Sequence, residues 1–327
     1  MTKPAPHDLE IRSALAEDEP AVLDLFRQTL GWRDDDPNED FFRWKHQANP
    51  FGQSPAWLAL HDGKVVGYRT FLRWRFLTED DKEIRAVRAV DTATHPDYQG
   101  LGIFRTLTLR GVAELTLAGE GIVFNTPNDQ SRPGYLKMGW SVARRLPISL
   151  LPRPTSLMKV ARAAVPADLW SQPSTIGLDA AEALTDTAVA EALLMHAPGK
   201  GVRTKRSPEY LAWRTSLRPL SYRLLLASDR DPAQGGLVFR LRRRGEALEA
   251  AVIEQLVPDR ATGARLVGRL LKQTGADYAI GLRTGPSAGL IPVPLRGMGP
   301  LLTTRPLAAS PPLPSAWRLT LGDVELF

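Results

Sequence analysis

The residues of this sequence that could do chemistry gather in three stretches. The first is HPDYQGLGIFRTL, His95 to Leu107, where Gly100 and Gly102 follow a Pro-Asp turn and run straight into an apolar helical pattern. A helix start leaves backbone N–H groups unpaired and carries a positive partial charge, so a glycine-bearing turn from strand to helix suits an anionic group such as a phosphate. The two common nucleotide motifs fail here: a dinucleotide fingerprint needs a third glycine where Arg105 stands, and a P-loop needs Gly-Lys followed by Ser or Thr. The second stretch, NDQSRPGYLKMGW from Asn128 to Trp140, sets Tyr135 in a short helical segment. The third, FFRWKHQANPFG from Phe41 to Gly52, carries Trp44, Lys45, His46 and Asn49, while Asp91 stands on the strand that leads into the glycine turn. The five histidines show no i, i+4 pair or other ligand spacing and cysteine is absent, so no metal is expected.

The first two stretches resemble the GNAT superfamily of N-acetyltransferases. That family carries Gln/Arg-x-x-Gly-x-Gly/Ala between a strand and a helix; here Gln99 and Gly102 match, and Phe104 stands in place of the small third residue. A second family feature, Asn-x-x-Ala/Ser-x-x-x-Tyr-x-Lys-x-Gly-aromatic, is matched by Asn128, Ser131, Tyr135, Lys137, Gly139 and Trp140. The opening EIRSALAEDEPAVLDLF also looks like the family's first strand and helix, so the resemblance covers about one domain's length of chain.

The resemblance implies an N-acetyltransferase that takes acetyl-CoA as co-substrate and moves the acetyl group directly to a primary amine of a small molecule. Such a transfer needs a neutral amine, stabilisation of a tetrahedral oxyanion, and a proton for the departing thiolate. By resemblance, Gln99, Gly100, Leu101, Gly102, Ile103 and Phe104 would turn amides to the pyrophosphate, and Thr92, Ala93 and Thr94 would line the pantetheine arm. Asn128 and Ser131 would complete the cofactor side, and Tyr135 would be the general acid. Asp91 is the candidate general base, against a reading in which it is a structural ion pair near Arg85 and Arg88. Trp44 and His46 fall where the family places acceptor-side helices and would line the substrate entrance, although Trp44 serves equally well as a core anchor.

The elements that must position these residues follow from periodicity. A strand at Leu9 to Ser13 leads into a helix with Pro20 in its first turn, Ala21, Leu23, Leu25, Phe26 and Leu30 on its apolar face, and Gly31 as its stop. A short aromatic helix spans Phe41 to His46, and PAWLALHDGKVVGYRTFLRWRFL alternates across a His-Asp-Gly-Lys turn as a hairpin does. The strand IRAVRAVDTATHP, a helix from Ile103 to Ala118, the buried strand GIVFNTP, the short helical SRPGYLKMGW and the sheet-extending SVARRLPISLL complete an α/β order. The fold class is therefore a mixed twisted sheet with flanking helices, the GNAT fold.

At 327 residues the chain is long enough for two domains. Residues 1–151 read as the acetyl-CoA-binding GNAT domain and residues 152–175, rich in proline, as a linker. Residues 176–327 read as a degenerate GNAT-like unit in tandem that shapes the acceptor cleft. In that second half PDRATG precedes a helix with Ala264, Val267, Leu270 and Leu271 on one face, but Arg265 holds the small-residue place and no tyrosine motif follows. The closing WRLTLGDVELF is either a last strand or a tail that brings its carboxylate to the cleft.

Composition limits the alternatives. The chain is 43% hydrophobic and 24% charged, with no run approaching a membrane span, and its N-terminus lacks a secretory signal, so a cytoplasmic protein with no membrane partner is expected. The +6 charge is a mild excess spread along the chain; only RLRRR, Arg240 to Arg244, is dense, and it reads as the exposed end of a hairpin, so nucleic acid is not the expected partner. Self-association into a homo-oligomer is compatible with all of this. The rival readings are an aminoacyl-tRNA-dependent peptidyl transferase and a catalytically silent CoA-binding or interaction module.

Overall fold

The structure, a computed structural model, describes residues 8–229, 231–282, 284, 286–292, 299–308, 310 and 312–325. The first half runs β1 (Glu10–Ser13), α1 (Glu19–Thr29), α2 (Asn38–His46), β2 (Ala56–His61), β3 (Lys64–Leu77), β4 (Glu83–Thr94), α3 (Ile103–Leu117), β5 (Ile122–Asn125), α4 (Arg132–Lys137) and β6 (Ser141–Arg145). The second runs β7 (Ile148–Pro152), α5 (Leu157–Arg162), β8 (Leu178–Asp179), α6 (Ala180–Ala183), α7 (Thr187–Leu194), β9 (Arg203–Thr204) and α8 (Pro208–Thr215). It continues through β10 (Arg223–Ser228), β11 (Asp231–Arg244), β12 (Ala247–Leu256), α9 (Arg260–Thr274), β13 (Tyr278–Leu282), β14 (Ile291–Pro292) and β15 (Leu301–Pro306).

Two mixed sheets result, each with flanking helices, a layout consistent with two units in tandem. The first sheet has the order β1-β2-β3-β4-β5-β15-β6, with β9 added to β3, and the second has the order β14-β7-β13-β12-β11-β10-β8. The sheets exchange strands: β15, from late in the chain, enters the first sheet between β5 and β6, while β7 leaves for the second sheet and pairs with β13. SVARRLPISLL is thus two strands in different sheets. Pro147, with no N–H to donate, separates them, and the buried Leu146 between them bonds its amide to the Pro300 carbonyl instead of a ladder partner.

Apolar periodicity decides which face each helix covers. Val22, Leu23, Leu25 and Phe26 of α1 and Phe42 of α2 pack on one face of the first sheet against Leu58, Leu60, Val65, Tyr68 and Ala93. Ile103, Leu107, Val112 and Leu115 of α3 cover the other face, against Trp57, Ala59, Phe71 and Val87. Gly67 on β3 makes the second contact close, because a Cβ there would lie 2.4 Å from Ile103 Cγ2. Between the two units a third core joins Trp44, Trp74, Tyr210, Trp213 and Trp317.

Two sequence expectations change here. Strand alternation puts Arg240 and Arg242 on one face, turned inward toward Glu325 at 2.9 and 3.3 Å, so RLRRR is not simply an exposed hairpin end. Of the two readings of the tail, the closing strand is replaced by a buried single turn at Leu321–Asp323 held by buried arginines, while the terminal carboxylate belongs to residues 326 and 327, which lie outside the described residues.

Candidate active site

The site grows from a divergence between two parallel strands. β4 and β5 pair only at Ala86↔Ile122, Val87↔Val123 and Arg88↔Phe124; β5 then ends at Asn125 while β4 continues to Thr94. From Ala89 onward β4 therefore has no parallel neighbour, and its backbone faces a wedge. The register with β3 also breaks there: Arg69 lies opposite Thr92 and Thr70 opposite Val90, so Asp91 is the extra residue of a bulge, with φ of 39°. Bulges re-aim side chains and interrupt pairing, and they concentrate beside active sites.

A cavity of about 310 Å³ fills the wedge, lined by Thr92, Ala93, Thr94, Phe104, Asn128, Gln130, Ser131 and Gly134. The structure thus brings together most of the predicted cofactor residues. Gln99, Gly100 and Leu101 form the turn into α3, and Gly100 and Gly102 hold φ of 83° and 77°, a left-handed geometry that glycine takes without strain. Gly102 is the N-cap of α3 and offers no side chain to cap that end, so the first-turn amides of Ile103, Phe104 and Arg105 receive no N-cap hydrogen bond and suit an anion. The matching helix of the second unit differs: Asp259 caps α9 with its own carboxylate, which accepts from the Thr262 amide at 2.8 Å. A carboxylate already seated at that end repels a phosphate. The donor set at α3 fits the pyrophosphate of a nucleotide thioester, and the set at α9 does not.

Asn128 is committed to local structure, its Oδ1 accepting from the Ser131 amide and hydroxyl, both at 2.8 Å, at the entry to α4. Phe104 turns its ring toward α4, where it meets Tyr135 edge-on at 5.4 Å between centroids; a Cβ at Gly134 would lie 3.0 Å from Phe104 Cε1. Tyr135 is buried, and its hydroxyl accepts a hydrogen bond from Arg69 Nη1 at 2.8 Å. Sequence reasoning did not single out Arg69. The available signal was a charge within VVGYRTFLRWRF at a position whose neighbours are all apolar or core-facing.

Asp91 points to the opposite side of the sheet, into α2. Lys45 Nζ reaches its two oxygens at 3.1 and 2.9 Å, and His46 Nε2 lies 2.8 Å from Oδ2. The partners are therefore Lys45 and His46, while Arg85 pairs with Glu120 and Arg88 bonds the Asp323 carbonyl. Burial by itself would raise the Asp91 carboxyl, but Lys45 and His46 outweigh it and hold the group well below the usual carboxylate range. Burial dominates at His46 and holds it below the ordinary histidine value, so the ring is neutral near pH 7. Its other nitrogen, Nδ1, meets Ser54 Oγ at 3.0 Å, and both residues border a second opening of about 540 Å³. Trp44 is buried in the core between the units. It stacks on Trp213 at 5.2 Å, and each indole N–H donates to the other residue's carbonyl at 2.7 Å. Among the described residues no group of three or more His, Asp or Glu side chains could hold a metal, and no helix is long and apolar enough to cross a membrane.

A family model described as an acetyltransferase (GNAT) domain matches residues 10–143. No curated protein matches the chain. Among solved structures, it is similar to a conserved protein of Enterococcus faecalis described as a probable N-acyltransferase, with a TM-score of 0.66, 11% identity and coverage of 92% of this chain and 73% of that one. A GCN5-related N-acetyltransferase from Anabaena variabilis gives a TM-score of 0.62 at 13% identity, covering 91% of this chain and 73% of that one. One from Kribbella flavida gives 0.59 at 14% identity, covering 92% and 72%.

Proposed function

We propose, from the match of residues 10–143 to an acetyltransferase (GNAT) domain model, that the chain transfers an acetyl group from acetyl-CoA directly to a primary amine of a small molecule. The observation that carries the reading is the uncapped start of α3 beside the β4–β5 wedge. The amides of that turn would hold the pyrophosphate, Thr92, Ala93 and Thr94 would line the pantetheine arm, and an unpaired β4 amide would polarise the thioester carbonyl. Tyr135 donates the proton that the departing sulfur requires. On the amine side the Asp91–Lys45–His46 cluster orients the acceptor, with neutral His46 the better proton acceptor of that group. In this reading the division at 151 and 176 separates a donor-binding unit from one that shapes the acceptor cleft. The cytoplasm is the compartment that suits such a co-substrate.

Thermal denaturation with acetyl-CoA, CoA, NAD and ATP tests the donor, since a ligand of the native state raises the midpoint by mass action. The rise should be confined to CoA species. A panel of amino sugars, aminoglycosides and amino acid amides should then reveal turnover, and Tyr135→Phe should lower kcat by about 10²-fold or more with little change in acetyl-CoA affinity. The ring of Phe104 against Gly134 favours one second reading, a silent CoA-binding module. A midpoint rise without turnover on any amine would establish that reading, and no rise with any CoA species would sink both.

A further inference from the structure

Arg69 lies on β3 within the donor-binding unit and is fully buried. Of its side-chain nitrogens only Nη1 has a hydrogen-bond partner among the described residues, the Tyr135 hydroxyl at 2.8 Å; Nε and Nη2 have none. No carboxylate among the described residues forms an ion pair with it. Its surroundings are instead aromatic, with the guanidinium carbon 4.5 Å from the Phe71 ring centre, 5.4 Å from that of Tyr135 and 5.9 Å from that of Phe104.

A buried cation without a counter-ion is a poor stabilising device, and replacing buried charges by apolar groups of similar volume is often neutral or stabilising. The faces of aromatic rings return part of the lost hydration but leave the N–H groups of Nε and Nη2 without acceptors. Stability therefore does not account for an arginine at this position. Its one polar contact indicates a role. A guanidinium has no lone pair to offer, so it can only donate to Tyr135. The phenolic oxygen accepts from Arg69, and its own proton must then point away from β3. Thr92, opposite Arg69 in the ladder, Phe104, edge-on to the Tyr135 ring, and Gly134, its chain neighbour, all line the wedge cavity, so that cavity borders the residues around the phenol.

We propose that Arg69 is a positioning residue for proton delivery by Tyr135: it orients the hydroxyl and stabilises the phenolate that forms when the proton leaves. This rests on the reading of Tyr135 as the acid. In the step, the carbon–sulfur bond breaks, its electron pair goes to sulfur, and sulfur takes the proton from Tyr135 Oη. The oxygen keeps the O–H pair as phenolate beside Nη1. Tyr135 then recovers a proton from solvent while the acceptor amine gives up its own to His46 as its nitrogen–carbon bond forms, so the net transfer is one proton from nitrogen to sulfur.

Two measurements on full-length protein test this. The first is a double-mutant cycle on the amine that turns over best in the panel, with Arg69→Met, Tyr135→Phe and the pair. Arg69→Met should lower kcat roughly 10- to 100-fold with KM for acetyl-CoA within about twofold, and it should cost nothing further once Tyr135 is Phe. Arg69→Lys, which keeps a cation, should restore part of the rate. The second is calorimetric titration at pH 8.5 with CoA and with acetyl-CoA, which needs no acceptor. Arg69→Met should weaken CoA, whose thiol is partly ionised at that pH, about tenfold relative to acetyl-CoA, whose binding should not change. If Tyr135→Phe leaves turnover intact, the reading of the acid fails and the inference falls with it. If Tyr135→Phe is slow but Arg69→Met is fully additive, or weakens both ligands equally, the inference alone is overturned and Arg69 is structural. Should Arg69→Met fail to fold, Arg69→Lys in the same two measurements decides, with a cycle coupled to Tyr135 expected and an additive one fatal to the idea.

Discussion

Asp91 shows how little a side chain's identity says about its strength as a base. One position out of register on β4, it accepts from Lys45 twice and meets His46 on the same carboxylate. A carboxylate held below its usual range is a weak proton acceptor, whereas the buried His46 is neutral and retains a basic nitrogen. That depression has a stability consequence. Between the folded value and the unfolded value of about 6.5, the unfolded chain binds the proton and the folded one does not, so the contribution is complete above about pH 6.5 and is lost as pH falls. The unfolding free energy should decline below that pH with a slope of at most about 1.4 kcal/mol per pH unit, and His46→Gln should flatten this limb. Urea denaturation between pH 5 and 7.5 reads it directly, and an unchanged limb in the variant would assign the loss to other groups.

The α3 start and its counterpart at α9 are two solutions to the same end-of-helix problem. Four N–H groups need acceptors, and α9 supplies one from Asp259 while α3 supplies none from a side chain. The left-handed Gly102 makes the uncapped turn feasible. A Cβ at that position would meet nothing within 4 Å, so substitution acts through the backbone alone. Gly102→Ala should destabilise the fold by about 1–2 kcal/mol, the usual cost of an L-residue in that region, and should weaken acetyl-CoA as the amides turn away. Denaturation and calorimetric titration of the same preparation check both halves. Lost stability with unchanged acetyl-CoA affinity would mean that the turn serves only to start the helix.

At the scale of the molecule, strand exchange links the two units, and a buried charge cluster fixes the end of the chain within the second. Glu325 meets Arg240 at 2.9 Å, Arg242 at 3.3 Å and the Tyr222 hydroxyl at 2.9 Å, while Arg206 is shared by Glu254 and Asp323. Burial alone would raise the Glu325 carboxyl, but Arg240, Arg242 and Arg214 outweigh it and lower it. Removing one partner of such a group strands the others, so Glu325→Ala should cost about 3–5 kcal/mol at pH 7. The sign on the pH axis follows: the contribution of Glu325 is present above the ordinary glutamate range near pH 4.3 and is lost as pH falls through the lower folded value. Chemical denaturation of the variant at pH 7 tests the magnitude, and a cost under about 1 kcal/mol would show that the cluster does not hold the tail.

The order of elements in the first unit, the glycine turn and the tyrosine helix were legible because each is local. Apolar spacing marks α1 and α3, and Gly100 and Gly102 announce a left-handed turn whatever surrounds them. Repeated strand-turn-strand-helix patterning is likewise consistent with the two mixed sheets, each with flanking helices. The sequence by itself therefore determined most elements of the first unit and their order, and it named Thr92, Ala93, Thr94, Phe104, Asn128 and Ser131, which line the wedge. Tertiary structure alone decided the partners. Lys45 and Asp91 are 46 positions apart, Arg69 and Tyr135 are 66, and Trp44 and Trp213 are 169, and no periodicity encodes contacts at such separations. The exchange of β7 and β15 was hidden for the same reason: a strand's pattern shows which of its faces is buried, but not which sheet supplies its neighbour.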